Sequence, residues 1–258
     1  MQNLAVDLLW QFVLAQSGPA SVWHKSNLYA HERRYREDLR LIDRLAPSGP
    51  ILEVGSAPCH MTALMQLCGH QAVGVDVDPE RVADIVRHFD LDVRQCDAER
   101  SALPFADDAF ACVLLCETFE HLRIDPAFVL SEITRVLAPG APLLLTTPNV
   151  YSLPSLARFL LGRSVADPLQ EYGKLRRLGH MGHVREYSAR EVARFLTASG
   201  LAVESIDYRS DGMVRGWERR LLHLAYRVVP RRFRREIVIV ARKATSGPRL
   251  DPLVPVVA

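Results

Sequence analysis

The chain has 258 residues, 48% of them apolar and 24% charged, with a formal net charge of +2. This length and balance fit one soluble α/β domain with a large core, or such a domain with a small lid, and they exclude a disordered or fibrous chain. So slight a positive excess does not by itself point to nucleic acid.

The five cysteines, Cys59, Cys68, Cys96, Cys112 and Cys116, are odd in number and form no C-x-x-C and no C-x-x-x-C-x-x-C. Buried thiols in a reducing cytoplasm are therefore expected, with no disulfide framework, zinc ribbon or iron–sulfur centre. The apolar start, residues 1–16, has no basic residue before Lys25, so no signal peptide is expected. No apolar run of about 18 residues occurs, so no membrane-spanning helix is expected either.

Residues 4–15 and 31–45 read as amphipathic helices, the second with Tyr35, Leu39, Ile42 and Leu45 on one stripe and Pro47 and Pro50 after it. Helices so placed cover a sheet edge or cap a site, and packing is the expected role of Tyr29 and Tyr35. Ile51 to Val54 is a strand that breaks at Gly55 into a small-residue turn. His60 to Leu67 has helical apolar spacing and stops at Gly69. Gln71 to Val77 is a second strand ending in acids, Asp76 and Asp78. Strand, tight turn, helix and strand make a βαβ unit whose first turn borders a crevice beyond the strand ends.

Asp78-Pro79-Glu80 predicts a helix start, with cap, proline and acid in order. Leu91 to Cys96 is a third strand ending at Asp97. The apolar run Phe110 to Cys116 suits a central strand covered on both faces. Asp125-Pro126 opens a helix that Pro139-Gly140 closes, and Pro142 to Thr147 is a fifth strand. Leu153 to Leu161 reads as a helix, followed by a loop rich in Arg, Tyr and His that runs to Tyr187. Ser188 and Glu191 form a capping box for a helix ending at Gly200. Strands over 201–208 and 236–241 complete the pattern.

The first turn decides the ligand. A dinucleotide turn needs G-x-G-x-x-G, and here the last glycine position is His60, while Pro58 removes an amide donor. The alternative is acid-x-G-x-G-x-G, which Glu53-Val54-Gly55-Ser56-Ala57-Pro58-Cys59 fits with Ala57 and Cys59 as small stand-ins. Side chains at 57 and 59 disfavour positive φ, so a turn less extreme than the glycine version is expected. This stretch resembles motif I of the class I S-adenosylmethionine (SAM) methyltransferases, and the resemblance covers about residues 35 to 243.

The resemblance implies a Rossmann-like α/β fold: a seven-stranded, mostly parallel sheet with helices on both faces and a lid inserted between strands five and six. It divides the chain into N-terminal helices (1–46), a SAM-binding core (47–150), an acceptor-binding lid (151–187), the rest of the core (188–245) and a disordered tail (246–258). Glu53 would orient the turn or the methionyl amine, beside Gly55, Ser56 and Ala57. Asp76, with Val77, would take the ribose hydroxyls, and Asp97, with Ala98, the adenine. Cys116 and Glu117 begin the fourth-strand exit, Glu117-Thr118-Phe119-Glu120-His121-Leu122, which in the family lies under the sulfonium.

Methyl transfer from SAM to a small-molecule, sugar or lipid-linked acceptor, through a hydroxyl, is the activity this implies. A hydroxyl acceptor calls for a base, and His121 and His183 are the candidates. The alternative is a non-catalytic SAM-binding or scaffold subunit. His180 and His183 share a metal-like spacing, but Gly179 and Gly182 disfavour a helix there and no third ligand stands near in the chain, so no metal is expected. Eight arginines in 215–235 flank an apolar stripe on a helix. That helix can cover the sheet with a solvated face or rest on an anionic membrane; nucleic acid is not expected as a partner.

Overall fold

The computed structural model describes residues 1–17, 19–45, 49–178, 182–183, 185–210 and 225–245. Among these residues the strands are β1 (Ile51–Val54), β2 (Ala72–Asp76), β3 (Asp92–Gln95), β4 (Cys112–Cys116), β5 (Pro142–Pro148), β6 (Leu201–Arg209) and β7 (Glu236–Lys243). They form one sheet in the order β3-β2-β1-β4-β5-β7-β6. β1 runs parallel to β2 and to β4, β2 runs parallel to β3, and β6 is antiparallel to β7. The expected seven-stranded α/β sheet is the one observed.

The chain packs as two compact units, one of residues 1–114 and 135–143, the other of the described residues in 115–134 and 144–258. In the first, α1 (Gln2–Ala15) and α2 (Pro19–Leu45) precede β1, and α3 (His60–Leu67) connects β1 to β2. The core holds Leu9, Val13, Leu28, Leu39, Ile42, Ile51, Leu52, Leu64 and Met65, each essentially inaccessible to solvent. Helix α2 starts twelve residues before the expected position 31. Its buried stripe begins with Ser21 and His24, and these polar residues hide the helical period from an apolar count. Gly69 ends α3 at φ 91°, with its amide bonded to Gln66 O, as its place after the last periodic residue predicts.

Asp78 makes no side-chain cap. A short 3-10 turn, Pro79–Val82, follows it, and α4 (Ala83–Phe89) starts only afterwards. The carboxylate expected at Asp125 does cap: it accepts from the amides of Ala127 and Phe128 at 3.1 and 3.0 Å and opens α5 (Pro126–Val136).

In the second unit, Val129, Leu130, Ile133, Leu144, Leu145, Val192, Leu196, Ile237 and Ile239 are fully buried. The segment after β5 contains α6 (Leu153–Leu160) and, where a loop was expected, α7 (Pro168–Leu178). Asp167 accepts from the amide of Leu169 at 3.0 Å and Pro168 starts the helix, the same device as Asp125-Pro126. Gly173 and a polar composition weaken the helical period there. The segment is closed at its base, because the Val150 amide donates to Tyr187 O at 3.1 Å and Asn149 bridges Tyr187. The capping box at Ser188 and Glu191 starts α8 (Ala189–Ala198) as expected.

Residues 211–224, which carry Arg215, Trp217, Arg219, Arg220, Leu221 and Leu224 of the basic segment, lie outside the described residues, as do His180 and 246–258. Residues 225–228 are helical, and Arg231–Phe233 forms a 3-10 turn. No helix among the described residues is long and apolar enough to cross a membrane.

Candidate active site

The turn after β1 is built from backbone. Gly55 takes φ 74°, and its amide and that of Ser56 both donate to Val75 O, at 2.9 and 3.0 Å. This brings Ser56 against β2 where Gly74 has no side chain: a Cβ on Gly74 would meet Ser56 Oγ at 2.8 Å. Cys59 is left-handed at φ 61° and ψ 18°, which overturns the expectation of a milder turn. For a residue other than glycine this costs about 1–2 kcal/mol. Its wholly buried side chain, with the thiol 3.7 Å from Ser56 Oγ, and the Cys59 amide, 2.6 Å from Ser56 O, hold it there. Burial pushes the thiol up to about 12, so it is neutral.

Asp76 is buried beneath the turn. One carboxylate oxygen accepts from the Ala57 amide at 3.0 Å, and the other from the Asp78 amide at 3.0 Å and Arg81 at 3.1 Å. Glu53, also buried, accepts from Thr62 Oγ1 on α3. Burial raises its carboxyl to about 8 against the opposing bonds from Thr62, and the Asp76 charge adds to the rise. Val77 is half-buried, and its carbonyl accepts from Gln95 at 3.2 Å.

Asp97 follows β3. Its carboxylate accepts from the Glu99 amide at 3.1 Å and lies 3.4 Å from Arg100, with Ala98 half-buried beside it. The Cys96 amide donates to Asp76 O at 2.8 Å, tying the ends of β2 and β3 together. Tyr35 packs as expected and donates to Asn27 at 2.6 Å; Tyr29 is largely exposed, with an edge contact to Trp10. His60, the residue that ruled out a dinucleotide turn, is fully buried. Its Nε2 lies 2.9 Å from Nδ1 of His24 on α2.

The second unit holds a separate polar cluster. Where β4 ends, half-buried Cys116 leads to Glu117, which is left-handed at φ 50°. The Glu117 amide donates to Thr146 O at 2.9 Å, and its carboxylate accepts from Thr146 Oγ1 at 3.2 Å. A 3-10 turn, Phe119–His121, then presents Glu120 and His121. Phe119 packs on Tyr187 and Phe195 with ring centroids 4.8 and 5.6 Å away, which fastens this turn to the end of the 151–187 segment.

The packing brings His183 to His121, rings edge-to-face at 4.7 Å. Glu120 is buried and accepts from Thr147 Oγ1 at 3.0 Å. His121 Nδ1 lies 3.1 Å from Gly182 O, His183 Nδ1 is 3.8 Å from Glu186 Oε1, and the His183 amide donates to Glu171 Oε2 at 2.9 Å. Burial and the Glu117 charge raise Glu120 to about 8. Burial and the His183 charge lower His121 to about 4. Burial alone would lower His183, but the nearby Glu186 carboxylate and the charges of Glu120 and Glu171 outweigh it, and His183 is raised.

The structure thus unites His121 and His183, as candidates for one task, and adds Glu120, Glu171 and Glu186, which the sequence reading missed. Glu120 adjoins His121 in a motif already singled out, so only its direction was hidden. Glu171 lies on the unexpected α7. Arg185 pairs with Glu191 at 2.5 Å and lies over the Tyr187 ring.

Residues 29–206 match the family described as methyltransferase domain. A probable S-adenosylmethionine-dependent methyltransferase of Mycolicibacterium smegmatis is 30% identical over 175 residues, which are 67% of this chain and 58% of that protein. The chain thus spans less than two thirds of that relative's length. The complex between the Haloferax volcanii Trm112 methyltransferase activator and a methyltransferase contains a similar chain, with TM-score 0.59, 18% identity and coverage of 87% of this chain and 96% of that one. A SAM-dependent methyltransferase from Archaeoglobus fulgidus gives TM-score 0.59 at 19% identity, covering 83% and 94%. At such identities the two structures bear on the fold alone.

Proposed function

This chain belongs to the class I SAM-dependent methyltransferase family, and from that premise we propose that it moves the methyl group of SAM onto a hydroxyl of a small-molecule, glycan or lipid-linked acceptor. The observation that carries the choice of a hydroxyl is the convergence of Glu120, His121 and His183 at the exit of β4. A hydroxyl oxygen is a poor nucleophile until its proton is drawn away, whereas a neutral amine attacks a sulfonium unaided. Electron-pair donors gathered on one point are what a hydroxyl acceptor requires.

In the first unit the cofactor roles follow the family's pattern. The turn of Gly55, Ser56 and Ala57 gives the methionyl part a backbone surface, and Glu53 faces its amine. Unliganded, Glu53 is held largely protonated near neutral pH by burial; a neighbouring ammonium would favour its ionised form. Asp76, with Val77, receives the ribose. A carboxylate offers about four lone-pair sites and three donors use three of them, which leaves one for a ribose hydroxyl. Asp97, with Ala98, receives the adenine amine. In the second unit Cys116 and Glu117 are the proposed cofactor contacts.

The acceptor class rests on the 151–187 segment. Phe159, Leu160, Leu161, Leu169 and Tyr172 are exposed there among Arg158, Arg163, Arg176 and Arg177, which suits an acceptor with an apolar part and oxygen-rich groups. Incubation with SAM and a panel of hydroxylated glycans and lipid-linked sugars, read as S-adenosylhomocysteine formed, tests the proposal. Methylation of amines alone would refute the hydroxyl; SAM binding without turnover on any acceptor would favour a scaffold subunit.

A further inference from the structure

We propose that Glu120, His121 and His183 bind a divalent transition-metal cation and that the acceptor's hydroxyl coordinates it. This rests on the reading of the acceptor as a hydroxyl and gives the cluster its means of action.

The geometry is that of a three-ligand site. One ligating atom from each residue lies within 4.8 Å of the other two. Donors about 2.0–2.2 Å from one ion stand at most about 4.4 Å apart, so small side-chain rotations close the set. The tautomer of His121 is already chosen. Gly182 O can only accept, so Nδ1 carries the hydrogen and Nε2 keeps its lone pair. His183 has a carboxylate, Glu186, on its Nδ1 side, the arrangement that orients imidazole ligands and strengthens them as donors. Thr147 holds one oxygen of Glu120.

The ligands come from segments about 60 residues apart, and the packing that joins them needs no ion. Phe119, next to Glu120, packs against Tyr187 and edge-on against Phe195, and Glu171 fixes the His183 backbone. The left-handed Glu117 is the kind of local strain that collects at functional sites, and it places a further carboxylate beside the set. Two imidazoles with one carboxylate suit Mn²⁺, Co²⁺ or Zn²⁺ better than Mg²⁺ or Ca²⁺, which take oxygen ligands. Three protein ligands leave positions open to water and substrate, as catalytic metal sites do.

The ion acts as a Lewis acid on the coordinated hydroxyl. The O–H bond breaks and its proton leaves to water. The oxygen pair forms the new O–CH3 bond, and the S–CH3 bond breaks with its electrons kept on sulfur. The products are a methyl ether, a proton and S-adenosylhomocysteine, so charge and atoms balance.

The test uses the full chain stripped with a chelator and titrated with Co²⁺, followed by visible absorption, and with Mn²⁺, followed by calorimetry. One equivalent of each should bind. Glu120→Gln, His121→Ala and His183→Ala should each abolish the Co²⁺ spectrum, while Glu186→Gln should weaken binding about 10- to 100-fold. Circular dichroism and SAM calorimetry check that each variant is folded; if His121→Ala is not, His121→Gln replaces it. Absence of Co²⁺ and Mn²⁺ binding in folded wild type overturns the proposal, as does binding unchanged in the ligand variants. The two readings fail separately. Cation binding lost in the variants, with only amines methylated, would keep the metal site and end the hydroxyl acceptor. Hydroxyl methylation undiminished in excess chelator would do the reverse.

Discussion

Asp76 reaches across from the end of β2 to hold the backbone amide of Ala57, 3.0 Å from its carboxylate, so the residue proposed to receive the ribose also shapes the turn after β1. Hydrogen bonds to a charged group contribute about 1.5–3 kcal/mol. Asp76→Ala should therefore weaken SAM binding by roughly 10- to 100-fold, measured by calorimetry on a variant shown to be folded. Unchanged affinity would remove Asp76 from the cofactor site.

Gly74 and Ser56 give a second, independent check of that turn. Gly74→Ala puts a methyl 2.8 Å from Ser56 Oγ and 3.0 Å from its Cβ, so the turn must shift. Overpacking of this kind costs about 1–3 kcal/mol, and SAM affinity should fall with it. Adding Ser56→Gly removes the two nearest obstructing atoms, leaving Val93 Cγ2 at 3.2 Å, and should restore much of the binding. A double variant as weak as Gly74→Ala alone would show that the clash is not the cause.

Cys59 is expected to be a conformational residue without a part in the chemistry. Its thiol is buried and neutral at ordinary pH, so iodoacetamide should spare it in the folded protein, as peptide mapping would reveal. Cys59→Gly relieves the left-handed backbone and should preserve or improve SAM affinity. Loss of methyl transfer in Cys59→Ala, with SAM affinity intact, would contradict this role.

The buried pair His24 and His60 predicts how stability responds to acid. Burial lowers both: Asp84 partly opposes the shift at His24, and the neighbouring positive charges reinforce it at His60. In the unfolded chain both titrate near the usual 6.5. Below that pH these two sites bind more protons in the unfolded state than in the native one, so the stability they contribute is present above about pH 6.5 and is lost as pH falls. Each fully unmatched proton gives a slope of about 1.4 kcal/mol per pH unit. Glu53 and Glu120, raised to about 8, act in the opposite direction over the same range. The histidine contribution is therefore read as the difference in pH dependence of urea unfolding, between pH 7 and 5, of wild type and His60→Asn, which should lose less stability on acidification. An equal slope in the variant would place the acid sensitivity elsewhere.

The parts of the fold visible in the sequence are those fixed by near neighbours. Gly69 after α3, Asp125-Pro126 before α5 and the Ser188–Glu191 box act within one helical turn, and each does what its position predicts. Cys59 failed as a local reading because its left-handed backbone is held by burial and by Ser56, which a residue's own φ preference does not contain. The early start of α2 was hidden because its buried face opens with Ser21 and His24. In the candidate site, His121 and His183 were singled out separately. Their contact depends on Phe119, Tyr187 and Phe195 folding together, and no spacing rule spans the distance between 121 and 183.

The closed base of the 151–187 segment, where Val150 meets Tyr187, also sets how this protein can diversify. When the two ends of an excursion are already pinned side by side, changing the length between them alters closure entropy only logarithmically, about 0.6 kcal/mol for a doubling. Residues 151–166, which carry α6, are therefore open to changes of length at little thermodynamic expense, whereas α7 is tied to the site by the bond from the His183 amide to Glu171. Tyr187, pinned beside Val150, holds its place whatever the length of that stretch.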